Sequence, residues 1–230
     1  SLGQIPVADA ALLLADSLLA AWTSDAVYLA HPGSLLLTHK TLQGKCIVLA
    51  SGSLFVSPDN HLDQVLLIAP HIVIQDGFSG RIQAFATDSL RVGEGVVLRY
   101  PSALVVSGTR RESPGYLAIG GGGRIEGVVI NDPQVAGKLY SRDQVTRIAP
   151  TASLYGHVLS PGTVIHEGKI FGSLVAGRFI LNTGSTVYVN HLLDATISFP
   201  ELSPHFTGGL YLDQSPAHSV IEWLAPLRKP

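Results

Sequence analysis

The sequence predicts an all-β protein and, within that class, a single-stranded parallel β-helix (a solenoid). Three observations lead there. A short pattern of apolar residue, any residue, glycine, any residue, apolar residue keeps returning. It occurs as Phe78-Ser79-Gly80-Arg81-Ile82, Ile125-Glu126-Gly127-Val128-Val129, Val135-Ala136-Gly137-Lys138-Leu139, Leu154-Tyr155-Gly156-His157-Val158 and Ile170-Phe171-Gly172-Ser173-Leu174. Residues two apart share one face of a strand, so each glycine lies between two large side chains on that face, as close approach of a neighbouring unit requires. Next, Gly137, Gly156 and Gly172 stand 19 and 16 residues apart, about one turn of a parallel solenoid. Finally, 46% of the 230 residues are hydrophobic and only 14% are charged, against about 25% charged in an ordinary domain. Stacked units bury inward residues against neighbours on both sides, which accounts for the low charge.

The length suits one all-β domain, read in three parts. Residues 1–40 are apolar but aperiodic, with Pro6, Pro32 and Gly33 as breakers, and are expected to cap the solenoid. The leucine-rich run at 11–22 is too short to span a bilayer, and Asp9, Asp16 and Asp25 punctuate its surroundings. Residues 41–198 carry short runs rich in Val, Ile and Leu, bounded by Gly, Asp, Asn, Ser or Pro. The first of these are Cys46–Ala50, Ser53–Val56, Val65–Ile68, Ile72–Gln75, Arg81–Ala86, Ser89–Val92, Val96–Arg99 and Ala103–Val106. They continue as Tyr116–Ile119, Arg124–Ile130, Leu154–Leu159, Thr163–His166, Ile170–Val175, Arg178–Leu181 and Thr186–Val189. Such runs with gaps of two to four residues read as strands and corners, and leave no room for crossover helices. Two polar stretches, at 107–114 with Arg110 and Arg111 and at 141–150 with Arg142 and Arg147, read as excursions. Residues 199–230, broken by Pro200, Pro204, Gly208, Gly209 and Pro216, read as an irregular C-terminal cap. It would end in a strand or short helix packing Trp223 on the last turn.

A formal charge of −2 from 15 basic and 17 acidic residues, spread along the chain, gives no footprint for a nucleic-acid partner. Cys46, the single cysteine, excludes an intrachain disulfide and sits in an apolar run as a buried thiol. With no methionine in the sequence, Ser1 is expected to follow a removed segment or a cloning junction, so a signal or anchor is expected to be missing.

Motifs of fixed spacing are absent. There is no Walker-type phosphate loop, no G-x-S-x-G elbow, no H-E-x-x-H helix and no calcium loop. Gly120-Gly121-Gly122-Gly123 follows an apolar run but leads into the strand pattern Arg124–Val129, so it reads as a turn and not as a dinucleotide site. Two constellations remain. His157 and His166 flank an expected turn at Ser160-Pro161-Gly162, and would face each other as a base pair of the kind used by left-handed solenoid acyltransferases. Partly exposed strand histidines are the plainer reading. Asp59, Asp63, Asp76 and Asp88 would supply an acid and a base for glycan cleavage if they clustered; turn-capping explains them as well, since Asp59-Asn60 and Asp76-Gly77 are turn signals. No catalytic, cofactor-binding or metal-binding residue is assigned.

Gly123-Arg-Ile-Glu-Gly127-Val-Val, Ala152-Ser-Leu-Tyr-Gly156-His-Val and Gly168-Lys-Ile-Phe-Gly172-Ser-Leu-Val resemble the repeated units of the bactofilins, polymer-forming β-helix proteins, over residues 123–188. The resemblance covers about a third of the chain, and the large apolar N-terminal region and the excursions depart from that family. It implies a right-handed parallel β-helix with a structural, self-associating role, and transfers no catalytic residue. The expected function is therefore non-enzymatic. The chain would be a structural or adhesive protein of the cell envelope or another extracytoplasmic site, with itself or another envelope protein as partner. The alternative is a β-helix that binds or cleaves a polysaccharide. No cofactor, nucleic-acid partner or membrane span within the chain is expected.

Overall fold

The computed structural model describes residues 16–21, 25–107, 114–132, 143–183, 185–192, 195–198 and 206. Gly137, Arg110, Arg111, Arg142 and Trp223, all singled out above, lie outside the described residues, as does the C-terminal segment apart from Phe206. The described residues are all-β and contain no helix, so none that is long and apolar enough to cross a membrane.

Six short strands come first: β1 (Ser17–Ala20), β2 (Val27–His31), β3 (Leu35–Leu37), β4 (Thr41–Gly44), β5 (Cys46–Ala50) and β6 (Ser53–Val56). Long strands follow: β7 (His61–Ile74), β8 (Ser79–Val92), β9 (Val97–Val106), β10 (Tyr116–Ile119), β11 (Arg124–Asn131), β12 (Val145–Ile148), β13 (Ser153–His166) and β14 (Lys169–Asn182). The chain ends in β15 (Val187–Val189) and β16 (Thr196–Ser198). Every pairing is parallel except that of β14 with β15. β1, β2 and β3 pair with β4, β5 and β6, so the sheet begins well before residue 41. Strands of three to five residues hold only one or two inward positions, too few to show a period in sequence.

β4, β5 and β6 then lie against successive thirds of β7, through Leu42↔Leu62, Val48↔Leu67 and Leu54↔Ile72. The register of β7 with β8 shifts between Asp63 and Val65 and between Ala69 and His71, so the chain turns from one face to the next inside a strand. Runs that the sequence separates, such as Val65–Ile68 and Ile72–Gln75, are for this reason parts of one element. The expected turn at Ser160-Pro161-Gly162 is likewise a register shift within β13. Partners stand 15 to 20 residues apart through most of the sheet, as in Asp63↔Arg81 and Thr163↔Arg178. The steps are longer where undescribed segments intervene, as in Ser89↔Tyr116 and Arg124↔Ser153. β8 pairs with both β9 and β10, and these lead through β11 and β12 back to β13, so the parallel pairings close a ring.

Alternating burial builds the core. Inward residues meet their equivalents on the next strand, as in Val48, Leu67, Ala84, Leu104, Val129 and Val158, or Leu54, Ile72, Leu90 and Leu117. Each large member contributes about 1.5–3 kcal/mol by leaving water. Three of the glycines predicted to face inward form such a column. Gly127, Gly156 and Gly172 are in register, with φ of 150°, 146° and 147°. A Cβ on any of them would stand less than 2 Å from the carbonyl oxygen of the preceding member, Ser102 for Gly127. The partner of Gly156 is thus Gly127.

Candidate functional site

Because inward positions are committed to packing, any site must be built from the outward columns. Their composition is sharply divided. One column runs Ala30, Leu49, Ile68, Phe85, Val105, Ile130, Leu159 and Val175, one residue from each successive strand and all apolar. Phe85 is 41% exposed and Val175 56%, and the rest are half-buried by their column neighbours. The column beside it, two residues earlier on each strand, runs Tyr28, Ile47, Leu66, Gln83, Ala103, Val128, His157 and Ser173. Neither column contains Asp, Glu, Lys or Arg. Together they make an uncharged stripe across one face, roughly 34 Å long at about 4.8 Å per strand.

The charges stand one column further back. Gln43, Asp63, Arg81, Arg99, Glu126, Tyr155 and Phe171 follow one another along that edge. Arg81 grips Asp63 with both arms of its guanidinium, donating from Nε at 2.5 Å and from an Nη at 2.6 Å. Arg124 donates to Glu126 at 2.7 Å and lies 4.0 Å from the centre of the Tyr155 ring. The Glu126 hydrogen bond, ahead of a smaller charge effect from Tyr155, holds the Arg124 guanidinium above its ordinary pKa against the opposing effect of burial. Tyr155 stacks on Phe171 at 4.6 Å. Between these pairs His61, Asp63, Arg81, Arg99, Tyr100 and Glu126 line an open groove of about 560 Å³. The Tyr100 N–H donates to Glu126, and Phe206 backs the Tyr100 ring at 5.6 Å and meets the edge of His157 at 5.0 Å.

The two constellations expected from sequence do not assemble. His157 points outward and pairs its Nδ1 with Ser173 Oγ at 2.6 Å, whereas His166 points into the core and is 2% exposed. Burial lowers the His166 pKa, and the Thr196 backbone, too poorly aligned to count as a hydrogen bond, offsets part of that. The four aspartates are dispersed. Asp59 accepts from Thr38 at 2.8 Å, and the hydroxyls of Ser57 and Thr38 hold its carboxyl below the usual range. Asp76 accepts the Glu94 N–H at 2.8 Å, a turn role, while Asp88 is buried beside Thr87 and Asp63 is taken by Arg81. Among the described residues no three His, Cys, Asp or Glu side chains gather in a metal-binding group. Cys46 is buried, and burial pushes its thiol pKa up.

Sequence reasoning missed Arg99, Tyr100 and the apolar stripe, because the strand register that aligns them is not written in any local motif. The chain matches no protein-family model, no curated protein and no solved structure.

Proposed function

We propose that this chain is a non-enzymatic structural or adhesive protein built as a right-handed parallel β-solenoid, which acts by associating with a second copy of itself or with another envelope protein. The solenoid reading is supported by parallel partners 15 to 20 residues apart and by long strands that pass from face to face. The in-register glycine column supports the kinship in architecture with the bactofilins. One observation carries the functional reading: sixteen outward positions on adjoining columns without a formal charge, in a chain whose other outward edge holds arginines and carboxylates.

Two columns about 34 Å long offer roughly 450 Å² per copy, so pairing two stripes removes about 1,000 Å² from water, near the lower size of a specific interface. Because the stripe repeats one chemistry along its length, it is complementary to itself across a two-fold axis. Light scattering coupled to size exclusion over a concentration series tests this: the chain is expected to dimerise in the micromolar range, and Val105→Glu to abolish the dimer. A monomer at every concentration would overturn the reading. Glycan cleavage has weaker support, since Asp63 and Glu126 stand three strands apart, about 14 Å, beyond the 5–9.5 Å of a hydrolytic pair.

A further inference from the structure

The groove around Arg99 is a different kind of surface from the stripe and does not depend on self-association. Its carboxylates are already matched: Asp63 is held by Arg81, and Glu126 by Arg124. Arg99, exposed between them, has no carboxylate partner among the described residues and leaves one surplus positive charge. Beside it the Tyr100 ring lines the groove, backed by Phe206. At about 560 Å³ the groove is far larger than a simple inorganic anion needs and lies within the range of small-molecule sites.

We infer that this groove binds an acidic saccharide, with Arg99 taking a sugar carboxylate and Tyr100 packing against a sugar ring. A planar guanidinium matches a carboxylate with two parallel hydrogen bonds. A carboxylate already paired with arginine keeps free lone pairs, so Asp63 and Glu126 accept hydroxyl donors from the ring without repelling the ligand as bare charges would. An aromatic face adds apolar area with little loss of side-chain entropy. The groove opens along the strand-stacking direction, so successive sugar units are free to extend out of it. A neutral sugar leaves Arg99 unmatched, and an acidic peptide leaves the hydroxyl acceptors unmatched.

The test is calorimetric titration of the full chain with hexameric galacturonate, alongside maltohexaose and hexaglutamate. Binding is expected for the galacturonate alone, weakening as salt is raised. Arg99→Gln, an outward change that leaves the core intact, is expected to weaken it by about tenfold to a hundredfold. Arg147→Gln, on a different face, is expected to leave it unchanged. No binding of the galacturonate, equal binding by Arg99→Gln, or equal binding of either comparison probe would overturn the assignment.

Discussion

Gly156→Ala tests the closest backbone approach in the fold. Its φ of 146° lies where L side chains are strained, and the new Cβ would stand 1.8 Å from the Gly127 carbonyl oxygen. That oxygen belongs to backbone fixed in a ladder on both sides, so no flexible side chain can yield. The strain alone costs about 1–3 kcal/mol. Moving the strands apart by more than 1 Å also loosens two or three ladder hydrogen bonds, at about 1 kcal/mol each. The sum, about 4–6 kcal/mol, is comparable with the whole stability of many domains. Gly95→Ala is the comparison, with φ of 64° and nothing within 4 Å of the added carbon. It should cost only the left-handed penalty, about 1–2 kcal/mol. Urea denaturation followed by circular dichroism reads the difference as a shift in midpoint at equal slope. Should Gly156→Ala unfold within 1 kcal/mol of Gly95→Ala, the close-packed glycine column is not what holds these strands together.

Two further outcomes follow from buried polar groups. His166 is neutral in the core with its pKa depressed by burial, so the unfolded chain takes up the proton first as pH falls. The stability it permits is complete above about pH 6.5 and declines as the pH drops below that value toward the folded pKa, with a slope of at most about 1.4 kcal/mol per pH unit. Urea midpoints for wild type and His166→Leu between neutral and mildly acidic pH should diverge in slope, and parallel curves would refute the assignment. Asn60, 5% exposed, donates to the carbonyls of Leu37 at 2.8 Å and Ser57 at 2.7 Å and accepts the Lys40 N–H at 2.9 Å. Asn60→Ala strands all three groups and should cost about 3 kcal/mol in the same assay, whereas a loss below 1 kcal/mol would show that water replaces the side chain.

The inward half of the molecule was legible because it obeys local rules. Strand after strand, apolar residues two apart mark the buried face, and Val48, Leu67 and Leu104 fall where alternation puts them. Glycine recurrence pointed to close stacking, and Gly127, Gly156 and Gly172 provide it. The spacing rule failed at one link: Gly156 meets Gly127, 29 residues back, because the chain leaves the sheet between β11 and β12 and returns. Corners were misread where proline and glycine suggested turns, since a register shift changes direction without ending the strand. The histidine pair failed for a related reason. That shift within β13 breaks the simple alternation, so His157 and His166 finish on opposite faces.

Outward chemistry is set by register across many strands, and register is not a local property. The apolar column joins residues separated by 16 to 29 positions, an uneven series that no period detects. Each member is one hydrophobic residue among many and becomes informative only when its neighbours above and below are known. This arrangement also sets how the stripe fails. Since each strand adds one residue to a continuous band, a charge at Val105 or Phe85 divides it into two halves, each too small for a specific interface. The same charge at Val175 merely shortens one end. Central substitutions should therefore abolish association while terminal ones weaken it, a gradient that a single discrete binding pocket would not produce.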